Sequence, residues 1–121
     1  MKVLIIDDDE NLSAVFEDAL QKDGLETVFA LNGKSGIDKA KLEKPDLVLL
    51  DQVLPDIPGN EVLKTLKTDP NTQQIPVLIL SNFSQEELIK EAIANGAMDY
   101  IFKYQVEPQD LVNKVKQALK M

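Results

Sequence analysis

Five short apolar runs alternate with five segments of helical periodicity, and this alternation restricts the fold of the chain more than any other feature. The apolar runs are Val3 to Ile6, Glu26 to Leu31, Leu47 to Leu50, Val77 to Leu80 and Met98 to Phe102. Such alternation is typical of repeated βα units around a parallel sheet. Because 121 residues build a single hydrophobic core, we predict one α/β domain over residues 1–121, without an attached output domain.

The helical segments carry apolar residues at spacings of three, four and seven positions. In the first segment this spacing puts these residues on one face of a helix; they are Leu12, Val15, Phe16, Ala19 and Leu20. Two weaker helices are predicted from Ser35 to Glu43 and from Asn60 to Thr68, since a proline follows each of them closely.

The apolar runs differ in composition, and the difference predicts their order in the sheet. The first, third and fourth runs are unbroken apolar stretches, as expected of central strands covered on both faces. The second and fifth runs mix polar with apolar residues and suit the two edges. Right-handed connections then favour the order 2-1-3-4-5, a doubly wound, flavodoxin-like (βα)5 sheet with its ligand site beyond the carboxyl ends of the first and third strands.

The available side chains narrow the chemistry of the chain. There are 21 acidic residues against 13 basic ones, a net charge of −8, so the protein would repel a nucleic acid backbone. The sequence has no Cys and no His, which excludes thiol catalysis, His-ligated zinc and phosphohistidine formation on this chain. The apolar runs are too short for a membrane span or a signal peptide, and we expect a cytoplasmic protein.

Polar residues follow the first, third, fourth and fifth apolar runs. They are Asp7-Asp8-Asp9-Glu10, Asp51, Ser81-Asn82 and Lys103. Acids that precede a helix are usually N-caps or favourable charges at the helix N-terminus, and this is our interpretation of Asp9 and Glu10. This interpretation does not suit Asp7, Asp8 and Asp51. Their carboxylates are expected to converge from adjacent strands, where they would repel one another unless a cation intervened.

A hard divalent cation with oxygen ligands would relieve this repulsion, so the sequence predicts a Mg²⁺ site. A carboxylate can also attack phosphorus and hold the phosphoryl group as an aspartyl phosphate. A metal ion, an ammonium and a hydroxyl are the groups that would neutralise or hydrogen-bond the oxygens of the transferring phosphoryl group. The strand ends supply the ammonium, the hydroxyl and carboxylate ligands for the metal ion.

Four motifs resemble those of the response-regulator receiver domain, in order and over nearly the whole chain. They are Val3 to Glu10, Pro45 to Asp51 with Leu54-Pro55-Asp56 and Gly59 behind it, Ile75 to Ser81, and Gly96 to Lys103. The resemblance implies that Asp51 is the phosphoacceptor. It also implies that Asp7, Asp8, Asp51 and the backbone carbonyl of Val53 hold Mg²⁺.

The resemblance assigns the remaining strand-end residues as well. Ser81 would contact a phosphoryl oxygen, and Lys103 would pair with the acceptor carboxylate or the phosphoryl group. Tyr100 matches the aromatic switch, whose ring turns inward when the Ser81 hydroxyl moves toward the phosphate. The fourth helix, fifth strand and fifth helix would form the output face.

The implied function is a phosphorylation-dependent switch of a two-component system, not a turnover enzyme. The expected donor is a phosphohistidine on a sensor histidine kinase or a histidine phosphotransfer protein. The signal would leave by contact with an effector protein whose identity the sequence does not indicate. The implied assembly is a monomer or a weak homodimer through the output face.

Several positions depart from the family pattern. Tyr104 stands where Pro usually follows Lys103, and we predict a trans peptide bond there because a cis bond before a residue other than Pro costs about 3 kcal/mol. Asn82 replaces a small residue, and Pro58 replaces an acid. Val53 and Phe83 are apolar where many relatives are polar, so we hypothesise that no attacking water is ordered and that the phosphoryl group is long-lived.

Three alternatives remain from the residues. A haloacid-dehalogenase-like phosphatase would use Asp7 as nucleophile in the pair Asp7 and Asp9, but it needs a further acidic pair and a hairpin where Leu12 to Leu20 predicts a helix. A flavodoxin-like cofactor carrier would need a phosphate-binding loop in place of the four acids after the first strand. A pseudo-receiver would keep the fold as an interaction module without phosphorylation.

Overall fold

The computed structural model describes residues 1–82 and 84–121, and strands alternate with helices throughout them. The elements are β1 (Lys2–Ile6), α1 (Glu10–Lys22), β2 (Glu26–Ala30), α2 (Gly33–Glu43), β3 (Leu47–Leu50), α3 (Gly59–Thr68), β4 (Val77–Ser81), α4 (Glu86–Ala94), β5 (Asp99–Phe102) and α5 (Pro108–Ala118). No helix in the described ranges is long and apolar enough to cross a membrane.

The strands form one parallel sheet in the order β2-β1-β3-β4-β5, which confirms the predicted order. Ile6 pairs with Leu50 and Leu50 pairs with Ile79, so the carboxyl ends of the three central strands lie side by side. The three central strands are fully buried apart from Lys2 at the start of β1, whereas β2 and β5 are partly exposed at the edges.

Two apolar layers cover the sheet, because successive side chains of a strand point to opposite faces. Leu4 and Ile6 of β1 pack with residues of α2, α3 and α4, while Val3 and Ile5 pack with residues of α1 and α5. Burying both faces leaves the edge formed by the strands' carboxyl ends as the place where polar side chains from several strands can meet.

The helix α1 differs from its sequence pattern in one position. Phe16 and Leu20 are buried as predicted, but Val15 is 48% exposed and Ser13 is buried instead. Ser13 lies on the same side of the helix as Phe16 and Leu20, three and seven residues later, so the buried stripe is centred slightly away from Val15. Val15 therefore lies at the exposed margin of the apolar face.

Two helices begin earlier than predicted, each at a glycine. The side chain of Asn32 accepts a hydrogen bond from the Ser35 N–H at 2.8 Å and caps α2, which starts at Gly33. The helix α3 starts at Gly59, whose N–H donates to the Gln52 carbonyl oxygen at 2.8 Å. These starts depend on contacts that the apolar periodicity does not report.

Gly59 packs directly on the backbone that follows β3. A Cβ atom at this position would collide with the Asp51 carbonyl oxygen and lie 2.7 Å from the Gln52 Cα. Because backbone atoms cannot swing aside as the end of a side chain can, any larger residue must displace either α3 or the segment carrying Asp51.

We expect Gly59→Ala to lower the free energy of unfolding by about 1–3 kcal/mol, the usual cost of overpacking a well-packed site. Urea unfolding followed by circular dichroism measures the change. Glu61→Ala, an exposed substitution two residues along the same helix, is the matched control and should be close to neutral. An unfolding midpoint for Gly59→Ala equal to that of the control would contradict the predicted collision.

Candidate functional site

Backbone hydrogen bonds hold the strand-end residues in line at one edge of the sheet. The N–H of Asp7 donates to Ala30 O at 3.0 Å, and the N–H of Asp51 donates to Ile6 O at 2.9 Å. The N–H of Lys103 donates to Ser81 O at 2.8 Å. Each bond extends the sheet ladder one residue past its strand, so these side chains start from a rigid frame.

Three carboxylates meet at this edge, as predicted. Asp7, Asp8 and Asp51 each place one carboxylate oxygen within 4.8 Å of the others. Asp7 is 1% exposed and Asp51 is 7% exposed, while Asp8 reaches the solvent. The cluster thus opens to solvent on the side of Asp8.

Lys103 is buried and contacts the two buried acids of the cluster, Asp7 and Asp51. Its Nζ lies 2.6 Å from Asp7 Oδ2 and 3.6 Å from Asp51 Oδ2. The resemblance implied a pairing with the acceptor carboxylate, and in this structure the ammonium contacts both carboxylates but approaches Asp7 more closely. One positive charge therefore faces the charges of two buried acids and a third acid at the surface.

Local hydrogen bonds orient the carboxylates. Asp7 Oδ1 accepts from the N–H of Asp9 at 2.9 Å, and Asp51 Oδ1 accepts from the N–H of Gln52 at 2.8 Å. Asp9 Oδ1 accepts from the N–H of Leu12 at 3.2 Å. Asp9 is therefore the cap of α1, as the sequence predicted, and not part of the acidic cluster.

Burial raises the pKa of the Asp51 carboxyl to about 6, and the charge of Asp7 acts in the same direction. The Lys103 ammonium and the Gln52 N–H lower the pKa but do not outweigh these effects. Burial by itself would lower the pKa of Lys103, yet the close contact with Asp7 and the charges of Asp51 and Asp7 raise it. At neutral pH the Asp51 carboxylate is thus charged and poorly solvated.

A hard divalent cation fits the acidic cluster. Asp7 Oδ2 is buried, touches the Lys103 ammonium and has no well-oriented hydrogen-bond donor among the described residues. One carboxylate oxygen from each of Asp7, Asp8 and Asp51 forms an all-oxygen donor set close enough to share one ion. Such a donor set suits Mg²⁺, and a bound ion would relieve the repulsion among the carboxylates.

Ser81 and Tyr100 occupy neighbouring strands near the cluster. Ser81 is fully buried at the last position of β4 and pairs with Phe102 in the sheet register. Tyr100 pairs with Ile79 and is half-buried, and its ring lies edge-on to Phe102 with 5.8 Å between centroids. The Ser81 hydroxyl thus belongs to the same sheet edge as Asp51, whereas Tyr100 lies one step back along β5.

Four of the five positions that depart from the family pattern belong to the described residues, and all four lie outside the helices and strands. Tyr104 is 71% exposed, and the peptide bond before it is trans, as predicted, since no cis bond occurs in residues 1–82 or 84–121. Asn82 is exposed, and Pro58 occupies the cap position of α3 without a side-chain hydrogen bond. The Val53 side chain is 52% exposed, and Phe83 lies outside the described residues.

The sequence pattern assigned no role to three residues that follow Asp51 along the chain. Gln52 and Asn60 are buried polar residues, and Gln52 Nε2 donates to Asn60 Oδ1 at 3.4 Å. Asp56 accepts hydrogen bonds from the N–H groups of Gly33 and Lys34 at 2.8 and 2.9 Å. Gln52 directly follows Asp51, which was a visible signal for the first pair, but the Asp56 contacts link residues 22 and 23 positions apart, which no local pattern reports.

Comparison of the whole sequence with known protein families agrees with these structural features, namely the strand-end acids, the buried lysine and the sheet order. The profile of the response regulator receiver domain family matches residues 3–116. The chain belongs to this family. This receiver is therefore a phosphorylation-dependent switch of two-component signalling, and proteins of this family are generally signalling domains without turnover.

Individual proteins show the same similarity over nearly full length. The polar-differentiation response regulator DivK of Brucella anthropi is 36% identical over 104 residues, 84% of this receiver and 82% of DivK. Sporulation initiation phosphotransferase F of Bacillus subtilis is 33% identical over 120 residues, 98% of this receiver and 90% of that protein. A response regulator structure from Chloroflexus aurantiacus gives a TM-score of 0.91 at 31% identity, covering 99% of this receiver and 98% of that chain.

We expect Asp51→Asn to raise the free energy of unfolding at pH 7 without divalent cations, because it removes a buried charge from beside Asp7. The expected gain is about 1–2 kcal/mol after the pKa shift is discounted for solvent screening. Between pH 3.8 and about 6 the native state binds more protons at Asp51 than the unfolded chain does, so wild-type stability falls as the pH rises through this window.

Urea unfolding in EDTA at pH 5 and pH 7 measures both effects. The gap between Asp51→Asn and wild type should be larger at pH 7 than at pH 5. Asp38→Asn, which neutralises an exposed acid on α2, should shift neither value appreciably. Equal stabilities of wild type and Asp51→Asn at pH 7 would show that the buried charge of Asp51 is not destabilising.

Proposed function

We propose that Asp51 is the phosphoacceptor of this receiver and that it accepts the phosphoryl group from a phosphohistidine on a sensor kinase or a histidine phosphotransfer protein. The observation that carries the proposal is the position of the Asp51 carboxylate, which is buried beside Asp7 and within 3.6 Å of the Lys103 ammonium. A poorly solvated carboxylate beside a fixed positive charge is suited to attack phosphorus while the charge on the phosphoryl oxygens is neutralised.

The transfer is a single displacement at phosphorus. A carboxylate oxygen of Asp51 forms the new O–P bond with its lone pair, and the N–P bond of the donor breaks. The electron pair of the N–P bond stays on the imidazole nitrogen of the donor. The phosphoryl group keeps its three terminal oxygens, and the Lys103 ammonium and the Ser81 hydroxyl are the groups proposed to hold two of them.

The proposed cation is Mg²⁺, held by Asp7, Asp8, Asp51 and the backbone carbonyl of Val53. Bound there, the ion would offset the negative charge of the carboxylates and of the incoming phosphoryl oxygens. Asp8 is the exposed member of the acidic cluster, so it provides the side from which an ion with retained waters enters.

The proposed switch runs from Ser81 to Tyr100 on the neighbouring strand. Tyr100 is half-buried and packs against the apolar layer that includes residues of α4. Its ring can therefore turn either toward this layer or toward the solvent. The proposed output face consists of α4, β5 and α5, and an effector protein or a second copy of the chain would read it. Similarity to a sporulation initiation phosphotransferase supports a place in a phosphorelay.

The contacts of Asp7 weigh against the phosphatase alternative. As a nucleophile Asp7 would need an approach for the substrate, but it is 1% exposed and its Oδ2 lies against Lys103. The segment after Asp9 is the helix α1 and not a hairpin. The intact set of acids, lysine and hydroxyl likewise favours a phosphorylated receiver over a pseudo-receiver.

The central test is incubation with Mg²⁺ and acetyl phosphate, a small phosphoryl donor, followed by intact mass spectrometry. We expect the wild type to gain the mass of one phosphoryl group, because the Asp51 carboxylate is the nucleophile. Asp51→Asn should gain none, and Asp38→Asn, with its altered acid on the exposed side of α2, should be labelled like the wild type.

Labelling of Asp51→Asn together with loss of labelling in Asp7→Asn would support the phosphatase-like nucleophile instead. A wild type that gains no mass at saturating donor and Mg²⁺, while remaining folded by circular dichroism, would contradict the proposed function and favour a pseudo-receiver.

The lifetime of the phosphoryl group follows from the side chain of Val53. This apolar side chain is 52% exposed two residues after Asp51 and offers no hydrogen bond to an attacking water. We expect Val53→Asn to shorten the half-life of the phosphorylated protein by about tenfold or less, in the low range of general acid–base and positioning effects. The decay of the phosphorylated mass after donor removal measures it, and Val53→Ala, which adds no polar group, is the control. Equal decay of Val53→Asn and wild type would contradict the hypothesis.

A further inference from the structure

The Asp56 side chain joins the loop after β3 to the start of α2. Asp56 Oδ1 accepts from the Gly33 N–H at 2.8 Å and Oδ2 accepts from the Lys34 N–H at 2.9 Å. Oδ1 also accepts from the N–H of Ile57 at 2.9 Å. The carboxylate therefore binds both the first turn of α2 and its own loop, and these backbone hydrogen bonds, that of Lys34 first, lower the pKa of Asp56.

The loop from Gln52 to Gly59 has two further attachments. Its ends are closed by the hydrogen bond from the Gly59 N–H to Gln52 O at 2.8 Å. Near its middle, Leu54 is 8% exposed and belongs to the apolar layer shared with α2 and α3. Asp56 supplies the polar attachment of the loop to α2. Val53 lies between the closed end of the loop and these two attachments.

Steric contact independently shows how closely α2 and the loop are fitted. A Cβ atom at Gly33 would collide with Cγ1 of Ile57 and would lie 2.8 Å from Cγ2 of Val62. The first residue of α2 thus has no space between itself, the loop and α3. Neither the loop nor α2 can therefore move toward the other without displacing it.

We propose that Asp56 is a positioning residue that ties the loop to α2 and so sets the place of the Val53 backbone carbonyl at the cation site. The inference rests on the proposed function, in which this carbonyl is a Mg²⁺ ligand. When the Asp56 carboxylate is removed, the loop keeps its closure and its Leu54 anchor but loses its hold on α2. The Val53 carbonyl then occupies the cation-binding position for a smaller fraction of the time.

The coupling is reciprocal, which provides a readout independent of phosphorylation. If the bond between Asp56 and α2 strengthens cation binding by some factor, cation binding strengthens that bond by the same factor. Mg²⁺ should therefore slow hydrogen exchange at the Gly33 and Lys34 amides, the two groups that Asp56 accepts from.

The test compares Asp56→Ala with Asn32→Ala. Asn32 caps the same helix through the Ser35 N–H but does not contact the loop through that bond, so it matches the loss of a cap without the loss of the attachment. Isothermal titration with MgCl₂, at a temperature where every variant is folded, should give a dissociation constant for Asp56→Ala about threefold to tenfold above that of the wild type. Asn32→Ala should bind Mg²⁺ like the wild type, and Asp56→Asn, which keeps one acceptor oxygen, should fall between.

Hydrogen exchange by NMR completes the test. Saturating Mg²⁺ should slow exchange of the Gly33 and Lys34 amides in the wild type and in Asn32→Ala, but not in Asp56→Ala. Equal Mg²⁺ affinity of wild type and Asp56→Ala would overturn the inference and leave the proposed function intact. Equal weakening in Asn32→Ala would also overturn it, because the stability of α2 would then be the cause. A wild type that binds no Mg²⁺ would instead overturn the cation site of the proposed function, and the inference with it.

Discussion

The pairing of one buried ammonium with two buried carboxylates is the interaction on which the carboxyl edge of the sheet depends. Lys103 reaches Asp7 and Asp51 from β5, across the end of β4, and apolar packing on both sheet faces holds these strands in place. The single positive charge of Lys103 does not balance the negative charge of the site, because Asp8 adds a third carboxylate. The fold thus supports a site that carries excess negative charge, which a bound cation would offset.

Much of the fold follows from the sequence because its signals are local. Unbroken apolar runs predicted the buried strands β1, β3 and β4, and mixed runs predicted the edges β2 and β5. The errors lie where a tertiary contact decides. Val15 fits the apolar spacing, yet the buried stripe of α1 is centred on Ser13 and Phe16. The start of α3 depends on the close approach of Gly59 to the Asp51 carbonyl, which periodicity does not report.

The site shows the same division between residue identity and contact. The strand-end positions of Asp7, Asp8, Asp51 and Lys103 could be predicted, since parallel strands bring their carboxyl ends to one edge. The closer approach of Lys103 to Asp7 could not, because side-chain torsions decide it. The contacts of Asp56 with α2 join residues more than 20 positions apart, so they become visible only in the folded chain.

The strand β5 links the charge balance of the site to the surface of the protein. Its backbone places Tyr100 and Lys103 three residues apart, and as an edge strand it is paired on one side only, with β4. Under the proposed function, a phosphoryl group on Asp51 adds negative charge on the side where the ammonium now makes its longer contact, 3.6 Å against 2.6 Å. The attraction then shifts from Asp7 toward the phosphoryl group. A strand with one neighbour adjusts to such a shift more readily than a central strand, and under the same proposal it would carry Tyr100 with it.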